Sequence, residues 1–176
     1  MIGPRLETTR LILRPPVEGD LDGWAALDAD ERVTRYIGGA KGREQAWLGL
    51  ATAAGMWTLR GCGLFSVIEK HCGTWVGRVG PWLPEGAIGT EIGWAFAGAA
   101  QGKGYATESA RAATGWAFDT LGWTEVIHCI DVGNTSSIAV ARRLGSTWLR
   151  AATEADGKVV QVYGQTRGHW LASGAA

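Results

Sequence analysis

Apolar positions along this chain follow helical spacing in its first third and strand-like spacing after it. Arg10-Leu11-Ile12-Leu13-Arg14 reads as a first strand, stopped by Pro15-Pro16, which cannot continue a ladder. Asp20 is placed as N-cap of a helix from Leu21 to about Leu27. Asp30-Glu31 open a second short helical piece carrying Val33, Tyr36 and Ile37, ended by Gly38-Gly39. A longer helix fits Arg43 to Leu59, with Trp47, Leu50, Ala54 and Trp57 at spacings of three, four and three. Arg60-Gly61-Cys62-Gly63 closes it.

Strand patterns follow. Leu64–Glu69 and Trp75–Gly80 are joined by a turn containing Gly73; Pro81 to Gly89 reads as a loop, and Thr90 to Phe96 as the next strand. From Ala106 to Phe118 the pattern is helical again, with Ala106, Ala110, Ala113, Ala117 and Leu121 forming a small-residue stripe suited to lying close on a sheet. Glu108 and Arg111 fall away from the stripe, toward solvent. Glu125 to Val132 is apolar on both faces, as a covered central strand would be. Asn134-Thr135-Ser136-Ser137 starts a helix bearing Ile138, Ala141 and Leu144, with Gly145 as its stop. Thr147–Ala152 and Lys158–Thr166 form a final hairpin around Asp156-Gly157. The pattern predicts one mixed α/β domain over residues 1–176, without linker, repeat or low-complexity segment.

Composition narrows the classes. Lys plus Arg equals Asp plus Glu at 17 each, so no bulk positive field points to nucleic acid. Glycine (27) and proline (5) together stay below the roughly 25–30% that marks low complexity. Cys62, Cys72 and Cys129 form no CxxC pair, and His71, His128 and His169 lack ligand spacing, so neither a disulfide framework nor a metal site is expected. His128 reads as a hydrogen-bonded core residue and Cys129 as a small buried hydrophobe. Without an apolar leader or an apolar run near the roughly 18 residues of a membrane span, the expected location is the cytoplasm.

The stretch Gln101-Gly102-Lys103-Gly104-Tyr105-Ala106-Thr107-Glu108 carries the chemistry. It joins a strand to a helix start, where the first N–H groups lack intrahelical partners and glycines admit a ligand close to the backbone. The helix dipole and Lys103 add positive charge, so a phosphorylated ligand is expected. A dinucleotide fingerprint would need glycine where Thr107 stands. A triphosphate loop would need Ser or Thr where Gly104 follows Lys103.

In this order, the motifs resemble the GNAT superfamily of acyl-CoA-dependent N-acetyltransferases. Gln101 to Ala106 fits its Q/R-x-x-G-x-G/A pyrophosphate loop, Trp94-Ala95-Phe96 sits where the family binds the pantetheine arm, and Asn134-x-x-Ser137 fits an N-x-x-S signature. Arg5 to Ile37 and the ending Val162-Tyr163-x-x-Thr166-Arg167-x-x-Trp170 look like the RimJ/RimL-like branch, which acetylates ribosomal-protein N-termini. The resemblance implies a twisted, mostly antiparallel sheet of about seven strands, its fourth and fifth splayed apart, with about four helices. It implies acetyl-CoA as co-substrate without a metal, held by Trp94, Ala95, Phe96, Gln101, Gly102, Lys103, Gly104, Tyr105, Ala106, Thr107, Asn134 and Ser137. The partner is an amine, either a peptide N-terminus or a small molecule such as an amino acid or aminoglycoside. Neither nucleic acid nor membrane is expected, and the protein is a monomer or homodimer.

Two catalytic residues follow from the resemblance. Glu91, ten residues before Gln101, occupies the strand position of a catalytic glutamate in some members. With a raised pKa it would take a proton from the amine, directly or through water; otherwise it is a half-exposed strand residue that binds the amine or faces solvent. The usual tyrosine acid is replaced by Ala141, so Ser137 is the candidate donor to the departing thiolate, or a serine that satisfies backbone N–H groups. Trp24, Trp47 and Trp57 on the early helices either line the acceptor pocket or pack the core. A chain with these features that bound acyl-CoA without turnover would instead be a sensor or interaction module.

Overall fold

Alternating burial in the strands and one-sided burial in the long helices assemble a single twisted sheet with helices packed on it. The computed structural model describes residues 3–154 and 157–174. In chain order the elements are β1 (Leu6–Glu7), β2 (Leu11–Arg14), α1 (Leu21–Ala29), α2 (Glu31–Thr34), α3 (Arg43–Arg60), β3 (Phe65–Glu69), β4 (Trp75–Trp82), β5 (Glu91–Phe96), α4 (Tyr105–Asp119), β6 (Glu125–Ile130), α5 (Thr135–Arg143), β7 (Thr147–Thr153), β8 (Val159–Thr166) and α6 (Arg167–Ala172). The eight strands lie in the order β1-β2-β3-β4-β5-β6-β8-β7. Every neighbouring pair is antiparallel except β5 and β6.

The mixed α/β class stands, with more elements than expected. β1 is two residues long, too short to show a period, and α6 is a single amphipathic turn and a half after β8. Pro81 and Trp82 belong to β4, paired with Ile92 and Glu91, so the following loop starts later than Pro81. Asp156 of the expected hairpin turn lies outside the described residues, as do Met1 and Ile2.

One face of the sheet packs on α4. Ala110, Ala113 and Ala117 are fully buried and sit in one core with Val79, Ile92, Phe96 and Val126. Their small size sets the close approach, so Ala113→Leu would overpack the seam at a cost of about 1–3 kcal/mol. The opposite face carries α1 and α3, where Trp24, Leu50, Ala53 and Leu64 pack with Trp75 and Trp82. No helix among the described residues is long and apolar enough to cross a membrane.

Three expectations are corrected by tertiary contacts. The buried side of α3 is Ala46, Leu50, Ala53, Met56 and Trp57, whereas Trp47 is 49% exposed. Asp20 does stand at the N-cap of α1, but its side chain makes no capping bond; it is buried and accepts from Arg14 at 2.7 and 2.8 Å, from Ser66 Oγ at 2.7 Å and from the Val17 N–H at 2.9 Å. Glu108 does not face open solvent but holds the β1–β2 turn, accepting from Thr8 Oγ1 at 2.5 Å and from the Arg10 N–H and Nε at 2.9 and 2.7 Å. Arg111 likewise donates to the Arg143 carbonyl and lies over the Trp170 ring.

Candidate active site

The site begins where the sheet comes apart. β5 and β6 are bridged at Glu91↔Ile127, where the Ile127 N–H donates to the Thr90 carbonyl at 3.0 Å. Beyond that bridge the two strands part. An opened ladder leaves backbone donors and acceptors that must find other partners. Here side chains supply them. His128 Nδ1 takes the Ile92 carbonyl at 2.7 Å, Glu91 Oε1 accepts from the Cys129 N–H at 3.3 Å, and Gln101 Nε2 donates to the Phe96 carbonyl at 3.1 Å. By strand alternation Trp94 turns its N–H and C=O to the same edge as Thr90, Ile92 and Phe96. That edge can bind an extended, amide-bearing chain as an added strand would.

A cleft of about 790 Å³ lies along this opening, lined among others by Glu91, Gly93, Trp94, Ala95, His128, Cys129, Asn134 and Ser137. Burial pushes the Glu91 carboxyl up to about 7; the Cys129 N–H opposes this and nearby Glu154 adds to it. A carboxyl group with that pKa can accept or release a proton near neutrality. Burial likewise pushes the Cys129 thiol up to about 12, so it is no nucleophile at neutral pH. Asn134 caps α5: its Oδ1 accepts from the Ser137 N–H at 3.1 Å and from Ser136 Oγ at 2.8 Å. Ser137 Oγ accepts from Trp94 Nε1 at 3.3 Å, which leaves the hydroxyl proton for another acceptor.

At the far end of β5 the chain turns into α4 through two glycines in the left-handed region, Gly102 at φ +76° and Gly104 at φ +80°. Gly104 is the N-cap and offers no side chain, and the first helical bond runs from the Glu108 N–H to the Gly104 carbonyl. The N–H groups of Tyr105, Ala106 and Thr107 therefore point out of the helix start, toward any anion there. Arg10 borders the loop, its Nη1 donating to the Lys103 carbonyl at 2.9 Å while its guanidinium lies over the Tyr105 ring. The Tyr105 side chain is buried with its hydroxyl donating to Glu69, so this residue offers the loop its backbone N–H alone.

Glu91, Trp94, Ala95, Asn134 and Ser137 thus meet in one cleft, while Gln101 to Thr107 form the loop and helix start beyond Phe96. Phe96 itself is buried in the core, its carbonyl taken by Gln101. Of the early tryptophans, Trp24 lines the cleft and packs the core, Trp57 packs edge-on against Phe65, and Trp47 is exposed. Sequence reasoning missed Arg10, Asp28 and Arg78 and the bridging role of His128. A polar residue inside an apolar strand was the signal for His128; Arg10 and Arg78 read as ordinary strand charges.

Comparison with known proteins agrees with this geometry. Residues 10–147 match the family described as "Acetyltransferase (GNAT) domain". The chain is 31% identical over 151 residues to the uncharacterized protein YkkB of Bacillus subtilis (strain 168), covering 80% of this chain and 84% of that one. Its fold is similar to the crystal structure of the acetyltransferase from Agrobacterium tumefaciens str. C58, with TM-score 0.85 and 29% identity, over 93% of this chain and 95% of that one. At 18% identity, it shares the fold of RimL, a ribosomal L7/L12 alpha-N-protein acetyltransferase solved with coenzyme A, with TM-score 0.77 over 93% and 98% of the two chains. A strand pair parted beside an anion-binding helix start, within a chain matched over most of its length, identifies this protein as a member of the GNAT acetyltransferase family, an acetyl-CoA-dependent N-acetyltransferase.

Proposed function

We propose that residues 1–176 act as one N-acetyltransferase domain that moves an acetyl group to a primary amine by direct attack, with Glu91 as general base. The carrying observation is the Glu91 carboxyl, raised to about 7 and located where β5 and β6 part. An α-amino group has an unperturbed pKa of about 8, so a base of this strength needs to remove a proton from only part of the population. The acceptor we favour is a protein or peptide N-terminal α-amino group, or a small amine of the same kind. The residues at 162–170 that resemble the RimJ/RimL-like branch support it.

In this reading Gly102, Lys103 and Gly104 with the N–H groups of Tyr105, Ala106 and Thr107 hold the pyrophosphate, in a shape that the Gln101 side chain maintains. Trp94 and its neighbours Ala95 and Phe96 run beside the pantetheine arm, with the backbone of Trp94 binding it. Bound acetyl-CoA supplies the activated thioester carbonyl. Glu91 takes the amine proton, directly or through water, and the Ser137 hydroxyl donates to the departing sulfur. Asn134 keeps its amide NH₂ for the cofactor while its oxygen caps α5. Most of the catalysis is positioning of two reactants along one cleft.

Two measurements test this. Calorimetry should detect acetyl-CoA binding in the wild type, and Gly104→Glu should weaken it at least about tenfold by filling the anion approach; unchanged affinity removes the loop from the site. In a thiol-release assay over an amine panel, Glu91→Gln should lower kcat about 10²-fold with KM for acetyl-CoA little changed. Binding with no turnover of any amine would favour a sensor.

A further inference from the structure

The cleft holds a second polar group that acetyl transfer does not use. In the β4–β5 register Arg78 lies opposite Ala95, Gly80 opposite Gly93 and Trp82 opposite Glu91, so these side chains share one face of the sheet. Between them the floor is bare at Gly93, where a Cβ would meet only Glu91 Oε1, at 3.9 Å, whereas one on Gly80 would meet Phe65 at 2.9 Å. At the end away from Glu91, Arg78 Nη2 donates to Asp28 Oδ1 at 2.8 Å, with the two side chains 12% and 4% exposed. The guanidinium lies over the Trp24 ring at 4.3 Å. Trp24, Asp28 and Arg78 all line the cleft.

Among the described residues, Arg78 Nη1 and Trp24 Nε1 are buried without a hydrogen-bond partner. Trp24 is only 2% exposed. A guanidinium and an indole donate and cannot accept, so a hydrogen-bond acceptor is needed, and beside a cation an anionic oxygen suits best. The charges around them point the same way. Arg35 and Lys41 also line the cleft without an ion-pair partner among the described residues; of its carboxylates, Asp131 is held by Lys158, Glu85 by Arg60 and Asp28 by Arg78, which leaves Glu154, beside Glu91, as the acid there without one.

We propose that the amine accepted at Glu91 also carries a carboxylate, received by Arg78 Nη1 and Trp24 Nε1, so that the substrate is an amino-carboxylate and not a simple or polycationic amine. This rests on the Glu91 reading of the site. Arg78 and Glu91 are four register positions apart, about 13 Å along the strand before the side chains reach toward each other. That span suits an amine and a carboxylate several bonds apart, as in an ω-amino acid or a peptide with an acidic first residue.

Matched probes test it: alanine against ethylamine, γ-aminobutyrate against propylamine, and aspartyl-alanine amide against alanyl-alanine amide. The first two pairs represent free amino acids of different length, and the third an acidic peptide N-terminus. The expected result is a kcat/KM ratio of about tenfold or more for the carboxylate member in at least one pair, falling toward one in Trp24→Phe and in Arg78→Lys. Trp24→Phe keeps a ring beneath the guanidinium, and Arg78→Lys keeps a cation for Asp28, so both variants stay measurable. Equal rates within every pair, or a ratio that survives both substitutions, overturns the proposal while leaving Glu91 as base. If no amine turns over, the Glu91 reading has failed. The carboxylate site is then judged by calorimetric affinities for the same pairs with coenzyme A present, where equal affinities refute it.

Discussion

At the scale of single residues, Glu91 does two things with one carboxylate. It satisfies the Cys129 N–H exposed by the parting strands, and it faces a cleft that disfavours its charge. The folded-state pKa of about 7 lies above the ordinary value of 4.5, so between them the folded protein binds more protons than the unfolded chain. This group's contribution to stability is therefore full below about 4.5 and is lost as pH rises through about 7. Glu91→Gln should remain folded at pH 8 at least as well as the wild type, read by thermal melts, while losing activity. Ser137→Ala should lower kcat about tenfold with acetyl-CoA affinity nearly kept, since Asn134 still caps the Ser137 N–H. A loss of affinity with kcat unchanged would make Ser137 a binding residue only. The carboxylate was legible from its place ten residues before the loop, but its strength was not, because burial by distant elements sets it.

At the scale of elements, a histidine fills part of the opening between β5 and β6. The His128 ring spans from the Ile92 carbonyl to Ser146 Oγ, at 2.7 and 3.0 Å, and packs at a tilt against Trp94, 4.9 Å between centroids. Burial pulls its pKa down to about 4, against an ordinary 6.5. The neutral ring's contribution is thus present above about 6.5 and is lost as pH falls toward 4, opposite in sign to that of Glu91. His128→Phe should leave the Ile92 carbonyl unpaired and destabilise the protein by roughly 2–4 kcal/mol. In a calorimetric scan that is a fall in Tm of about 5–15 °C, with a weaker loss of stability below pH 6.5 than in the wild type. A wild-type melting profile in this variant would show that the His128 bridge adds nothing to stability. The helix-opening glycines were readable from their spacing between a strand and a helix, and Gly102 and Gly104 do take the left-handed backbone. The α3 stripe was misread by one position, since Trp47 and Trp57 look alike to a periodicity count and only packing tells them apart.

Across the whole molecule, paired charges join segments far apart in sequence. Burial pushes the Asp20 carboxyl up, yet hydrogen bonds from Arg14, the Val17 N–H and Ser66 together hold it below the ordinary carboxylate range. Its contribution is present above about 3.8 and disappears as pH falls through the lowered folded value. Asp20→Asn leaves Arg14 facing a neutral partner and should cost about 3–5 kcal/mol in chemical denaturation at pH 7, with less acid sensitivity remaining. The class of fold and the order of its strands were legible because burial follows period, and the motif order carried the family. Long-range polar partners such as Ser66 with Asp20, Arg78 with Asp28 and Arg10 with Glu108 were not, because no local pattern records which polar groups meet.

The central claim is that Glu91 removes the amine proton, and the pH dependence of kcat/KM in wild type and Glu91→Gln tests it most directly, at saturating acetyl-CoA with one accepted amine. The account predicts that wild-type activity rises through an acid limb with a pKa of about 7, and that the variant is about 10²-fold slower and lacks that limb. The same limb in Glu91→Gln, at any rate, would contradict it.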